Sequence, residues 1–182
     1  MTEAVNPPLY TLAADKKVAP IMLYTHTALV WGEAVLKKQI RGSTWLRTNA
    51  APEVVQLLNA RSLLTLYPGV PHPTFSKELL IFTNQVLAYH LMPPQQDPPD
   101  YDETEPNRSM FAVSARVGTF RFDGTMRLSS ISNPYKYLTL TREAFTGLYN
   151  LEITNPVIPE LGTFKVPFAL VSQEQVIYTV KS

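Results

Sequence analysis

Cysteine is absent from this chain, so neither disulfides nor thiolate metal sites can staple it. Glycine is scarce, with seven residues in all, which leaves little material for a phosphate-cradling loop. No such loop, nucleophile elbow or kinase-like set of motifs occurs. The three histidines, His26, His72 and His90, are scattered without the spacing that would put metal ligands on one helix or hairpin. Ser129, Ser130 and Ser132 suit the cap of a short helix better than a nucleophile. No catalytic, cofactor-binding or metal-ligating residue is therefore assigned, and the expectation is a protein that is not an enzyme and carries no cofactor.

Long apolar runs are missing too. Nothing approaches the roughly 18 to 20 uninterrupted apolar residues of a membrane span. The first twenty residues contain Pro7, Pro8 and Pro20 and lack the basic start and apolar core of a signal peptide. A soluble, cytoplasmic protein is the resulting expectation. Charge of one sign is also lacking: the formal net charge is +1, against the strong basic footprint on which a dedicated nucleic-acid protein relies.

What is present is an internal echo. An apolar strand carrying Gly32 or Gly124, an Asn-x4-Leu-Thr-Leu string (59–66 and 133–140) and a Leu-[Ile/Val]-x3-Gln-Val segment (80–86 and 170–176) occur twice in the same order. Gly32 to Gln85 spans 53 residues and Gly124 to Gln175 spans 51, because loops of unequal length exchange places at little entropic cost. The reading is a mainly β (β-rich α+β) protein: two tandem copies of a small, partly open β-barrel or sandwich, each with a short helix. The segments are an N-terminal stretch at 1–20, a first repeat at 21–92, a linker at 93–108 and a second repeat at 109–182. About 70 residues is near the lower size limit for an independent core, so each copy is expected to lean on the other or on another chain.

The linker is marked by composition. Pro93, Pro94, Pro98, Pro99 and Pro106 stand among Asp97, Asp100, Asp102, Glu103 and Glu105, a mixture that favours an extended, solvated segment. It lacks the alternating ligands and central Gly of an EF-hand calcium loop.

Within each copy the expected elements differ. Thr119 to Leu128 alternates apolar and polar side chains, as a strand with one buried face does, and Met110 to Val117 reads as its hairpin partner. Ser129 to Asn133 is expected to form one helical turn stopped by Pro134. In the first copy the same slot, 52–59, is expected to be a longer helix with Val54, Val55, Leu57 and Leu58 as its apolar stripe. Each Leu-Thr-Leu is expected to be a strand. Closing hairpins should pair Leu79–Phe82 with Gln85–Tyr89 and Val166–Val171 with Gln175–Val180. Gly32 and Gly124, inside strands, indicate sharp coiling or close backbone approach.

This order of strand, short helix, strand and closing hairpin resembles small Sm-like or related partly open β-barrels. The run Phe122 to Leu140 is similar in cadence to an uncharacterised bacterial domain with a Gly-ended strand, a short Leu/Ser/Asn helix and an aromatic-rich "LTL" strand. The resemblance covers well under half of the chain. No uridine-pocket motif of true Sm proteins is found, so it implies fold and not function.

Two surfaces stand out. Leu29, Trp31 and Val35 project opposite Val30, Ala34 and Leu36, so that strand is apolar on both faces and is expected to be covered on both, by the chain itself or by a partner subunit. Lys37, Lys38, Arg41 and Arg47 surround Trp45, a combination that could pair phosphates and stack a base, although a solvated insertion with Trp45 packed back on the barrel is the preferred reading. The leading expectation is a protein-interaction or assembly module with a protein partner or self-association. The alternative is a single-stranded nucleic-acid or nucleotide-binding module acting through the 37–47 loop.

Overall fold

A computed structural model describes residues 11–48, 51–68 and 72–181. The first half contributes β1 (Lys16–Tyr24), β2 (Ala28–Lys37), β3 (Val54–Leu64), β4 (Thr74–Phe82) and β5 (Ala88–Leu91). The second contributes β6 (Arg108–Val117), β7 (Phe120–Ser129), helix α1 (Pro134–Leu140), β8 (Phe145–Thr154), β9 (Thr163–Ser172) and β10 (Ile177–Val180). All ten strands join one antiparallel sheet in the order β10-β6-β7-β8-β9-β5-β1-β2-β3-β4. Among the described residues the structure is mainly β with a single short α-helix, and the sheet does not close: β10 and β4 are its two ends. The connectivity β5-β1-β2-β3-β4 of the first half recurs as β10-β6-β7-β8-β9 in the second, and the halves meet where β5 pairs with β9.

Packing follows from alternation. On β1, Ile21 and Leu23 enter one apolar cluster while Met22 and Tyr24 enter another. Successive side chains of a strand point to opposite faces, so the centre of the sheet carries a core on each side. One is filled mostly by β6 to β9, with Phe120 and Phe122 each set edge-on to Tyr24 at 4.8 Å between ring centroids. The other lies under β2, β3 and β4 with Trp45, Leu46 and Phe145. Gly118, at φ +58, lets the β6–β7 turn approach Thr25; a Cβ there would stand 2.7 Å from the Thr25 carbonyl oxygen. This contact ties the far side of the second half to the first hairpin.

The curling of each half depends on one device used twice. Between Trp31 and Glu33 the β2–β3 register shifts by a residue, and the extra residue on β3 is Asn59, at φ 50. Between Asp123 and Thr125 the β7–β8 register shifts in the same way, with Asn150 at φ 51 as the extra residue. Asparagine tolerates this left-handed conformation better than most residues. The bulge flips the inward parity, so Leu57 and Ala60, and likewise Leu148 and Leu151, all reach the core. Facing the bulges are Gly32 and Gly124, where a Cβ would stand 2.9 Å from Leu58 O and 2.7 Å from Tyr149 O. The close approach expected at both glycines is thus present.

Several expected elements are corrected. Residues 52–59 form no helix; Val54–Leu64 is a strand paired on both sides, with Val55 and Leu57 inward. Its short apolar run fits either period, and its β-branched valines and two neighbouring strands favour extension. The turn expected to stop at Pro134 instead begins there: the Asn133 side chain accepts a hydrogen bond from Lys136 N at 2.8 Å, and Pro134 occupies the first helical turn. Leu138-Thr139-Leu140 consequently ends a helix, whereas Leu64 ends a strand and Thr65-Leu66 follow it, so the two strings occupy inequivalent places. It is Asn150, not Asn133, that matches Asn59. The closing hairpins are absent as well. The chain does turn at 83–85 and after Ser172, but β5 pairs with β1 and β9, and β10 pairs with β6.

A buried polar pair sits at the sheet's centre. In the neutral ring, His90 accepts at Nε2 from the Tyr24 hydroxyl (2.9 Å) and donates from Nδ1 to the Leu91 carbonyl (2.7 Å), since the carbonyl can only accept. Burial lowers its pKa from 6.5 to about 4, partly opposed by the Leu91 bond. Between those values the unfolded chain holds a proton that the folded chain refuses, so the stability is full above the unfolded pKa and declines as pH falls toward the folded one. Acidifying from about pH 7.5 to about pH 4.5 is expected to lower the unfolding free energy by about 2–3 kcal/mol, and His90→Gln to remove most of that dependence; urea titrations at the two pH values measure both. Gly32→Ala and Gly124→Ala should each destabilise by about 1–3 kcal/mol, since backbone atoms must yield. A variant that unfolds like the parent would show that the bulge is not tight.

Candidate functional site

The segment between the halves is a strap rather than a free tether. Residues 93–107 hold no helix or strand and are mostly exposed, as expected, yet their acids are anchored. Asp97 Oδ2 accepts from the Ser43 hydroxyl (2.7 Å) and amide (3.0 Å) and lies 4.0 Å from Arg41. Burial pushes this carboxyl up, but the Ser43 bonds and the nearby cations outweigh it and hold its pKa low. Asp100 accepts from Arg47 (2.9 Å) and from the Tyr149 hydroxyl (2.8 Å), which binds the strap to both halves at once. Burial, followed by the bond to Asp100, raises the Tyr149 phenol. Further along, Arg127 lies 4.3 Å above the Tyr101 ring and pairs with Glu105 at 2.9 Å.

This arrangement places the residues of the 37–47 loop. Trp45 is 3% exposed and belongs to the core beneath β2 and β3; the next amide, Leu46 N, donates to Tyr89 Oη at 3.0 Å. The indole therefore has no open face for a base. Arg41 donates to the Pro98 carbonyl and Arg47 to Asp100, while Lys37 and Lys38 are exposed at the end of β2. Two of the four cations that pointed toward phosphate, Arg41 and Arg47, are thus matched by the strap's own acceptors.

Leu29, Trp31 and Val35 are covered unequally. Leu29 is 2% exposed, Trp31 is half-buried against the same cluster, and Val35 is half-buried. The cover for Leu29 and Trp31 is internal, because that cluster is built mostly from β6 to β9. Of the apolar residues at the N-terminal end, Leu12 is exposed, and Leu9 and Tyr10 lie outside the described residues.

A cavity of about 540 Å³ lies between the strap and β8–β9, with Leu91, Pro167 and Phe168 on one side and Asp97, Asp100 and Tyr101 on the other. Asp97 and Asp100 are both engaged in fixing the strap, so neither is poised as a free general base. Among the described residues, no three His, Asp or Glu side chains converge as metal ligands, and no helix is long and apolar enough to cross a membrane.

The sheet's two ends are a different kind of surface, and one that sequence reasoning did not single out. On β4, Leu80 and Phe82 are 64% and 59% exposed; on β10, Ile177 and Val180 are 67% and 55% exposed. Among the described residues nothing pairs with the outer side of either strand. Open edges with large apolar side chains are templates for another strand. The signal was in the apolar residues of 79–82 and 177–180, but the expected hairpins had already assigned 79–82 to 85–89 and 175–180 to 166–171.

Comparison with protein-family models, with curated proteins and with solved structures finds no match. The described residues form a ten-stranded open antiparallel sheet with exposed apolar side chains at both ends.

Asp100→Ala removes the acceptor shared by Arg47 and Tyr149. Losing charge-assisted bonds of this kind costs about 1.5–3 kcal/mol, so cleavage within 93–107 by a nonspecific protease should accelerate about tenfold or more while the global melting point changes little. Equal cleavage rates in variant and parent would mean that the strap is held elsewhere.

Proposed function

We propose that this chain is a non-enzymatic protein-interaction or assembly module, built from a duplicated small β unit, that works by accepting strands at its open edges. The observation that carries this reading is the pair of apolar edges at β4 and β10, unpaired among the described residues. An edge strand offers a row of backbone donors and acceptors, and alternate side-chain positions add specificity. Duplication is supported by the repeated strand order and by the matching Gly–Asn bulges in the two halves. The burial of Trp45 and the pairing of Arg41 and Arg47 within the fold weigh against the nucleic-acid alternative.

A synthetic peptide with the sequence of residues 163–172, the strand that pairs with β5 inside the molecule, is the natural probe. It should bind the intact chain at the β10 edge, and Ile177→Lys should weaken binding about tenfold or more in fluorescence anisotropy. Ile177 is exposed, so the variant should fold as the parent does. A peptide that fails to bind, or that binds parent and variant alike, contradicts strand addition at this edge.

A further inference from the structure

The two open edges are the unpaired counterparts of the two strands that already pair within the molecule. Ile21 faces Gly32 on one side and Leu91 on the other, and Val113 faces Gly124 and Val180 in the same manner. Counting back three residues from Leu91 and from Val180 matches Ala88 and Tyr89 with Ile177 and Tyr178. Leu57 and Leu148, each two residues before a bulge asparagine, face Leu79 and Ala169. The next residues therefore match Leu80 and Ile81 with Leu170 and Val171. In the internal junction Ala88 faces Val171 and Tyr89 faces Leu170. The unused counterparts are Ile177 and Tyr178 at one end of the sheet and Leu80 and Ile81 at the other.

We infer that a second copy of this chain seats its β4 against β10 in the register of the internal β5–β9 junction, with Ile81 opposite Ile177 and Leu80 opposite Tyr178. This deepens the strand-addition reading and rests on it. The chemistry at the edges fits that occupant. Ala88 and Leu170 are fully buried in the internal junction, whereas their counterparts Ile177 and Leu80 are large, apolar and mostly exposed. Both β5 and β10 are four residues long, which matches the short ladder the junction uses. Beside that ladder the Gln175 side chain donates to the Asn84 carbonyl at 3.0 Å, bridging the turns that follow β9 and β4. The matching residue Gln85 is exposed in the turn after β4, placed to bridge to the turn before β10 of a neighbour.

Such a contact is head-to-tail, because each copy gives one edge and receives the other. It propagates until the rotation closes a ring or, failing closure, into a filament. A contact joining like edges would instead stop at two chains.

Complementation tests this. Leu80→Lys and Ile177→Lys each place a charge on one edge at an exposed position, so both variants should keep the parent's circular dichroism and melting behaviour. By light scattering over a concentration series, the parent is expected to exceed the 20.5 kDa chain mass severalfold. Each variant alone should run as a single chain. An equal mixture of the two should give a one-to-one pair and nothing larger, since only one compatible junction remains. A pair formed by either variant alone overturns the head-to-tail register, as does a mixture that stays monomeric beside an assembling parent. A parent that is monomeric at every concentration yet binds the 163–172 peptide overturns self-association while leaving strand addition standing; absence of both overturns both.

Discussion

The approach of the backbone at two glycines is the constraint on which the rest of the structure depends. A ten-stranded antiparallel sheet cannot cover its own apolar central strands while it remains flat. At Gly32 and Gly124 a carbonyl of the next strand comes within 2.9 and 2.7 Å of where a Cβ would lie, and Asn59 and Asn150 take the extra residue in a left-handed conformation. These bulges turn β3 over β2 and β8 over β7 and let residues on either side of the kink face the same core. The two cores on opposite faces of β1 follow from this, and so does the burial of Tyr24, His90 and Leu29 at the centre.

The strap acts at a second level. It fixes no core, but it converts the mixed charges of the chain into a specific tie. Three acids of the segment that reads in composition as a solvated linker find cations or hydroxyls in both halves: Asp97 with Ser43 and Arg41, Asp100 with Arg47 and Tyr149, Glu105 with Arg127. Individually, such partly exposed pairs contribute little. Together they hold the strap across β8 and the 41–47 loop and border the cavity beside Phe168.

Much of this was legible in the sequence, and what was not has physical causes. The period-two pattern of 119–128 correctly marks β7, because one face is buried and the other is wet. Strand-interior glycines correctly mark the close approach, since little else explains a glycine there. Gln85 and Gln175 both fall in turns, after β4 and after β9, although the hairpins expected at them do not form. The shared Asn-x4-Leu-Thr-Leu string misleads: its Leu-Thr-Leu carries no backbone requirement, and Pro134 after Asn133 starts a helix where Ala60 after Asn59 continues a strand. Residues 54–58 could read as helix because strands flanked on both sides lose their alternation. Pairing was the least legible. A tight turn at 83–85 looks like a hairpin, but sequence separation does not reveal that β5 prefers β1 and β9. That single misassignment also concealed the free edges, on which the functional reading now rests.

The proposed strand addition requires that both ends of the sheet be working edges. Residue-resolved amide exchange across a dilution series tests it most directly. In concentrated solution, amides on the outer sides of 74–82 and 177–180 should be protected and should lose that protection together on dilution, while β1 and β2 stay protected throughout. Outer amides that exchange rapidly at every concentration, or protection confined to one of the two edges, would contradict it.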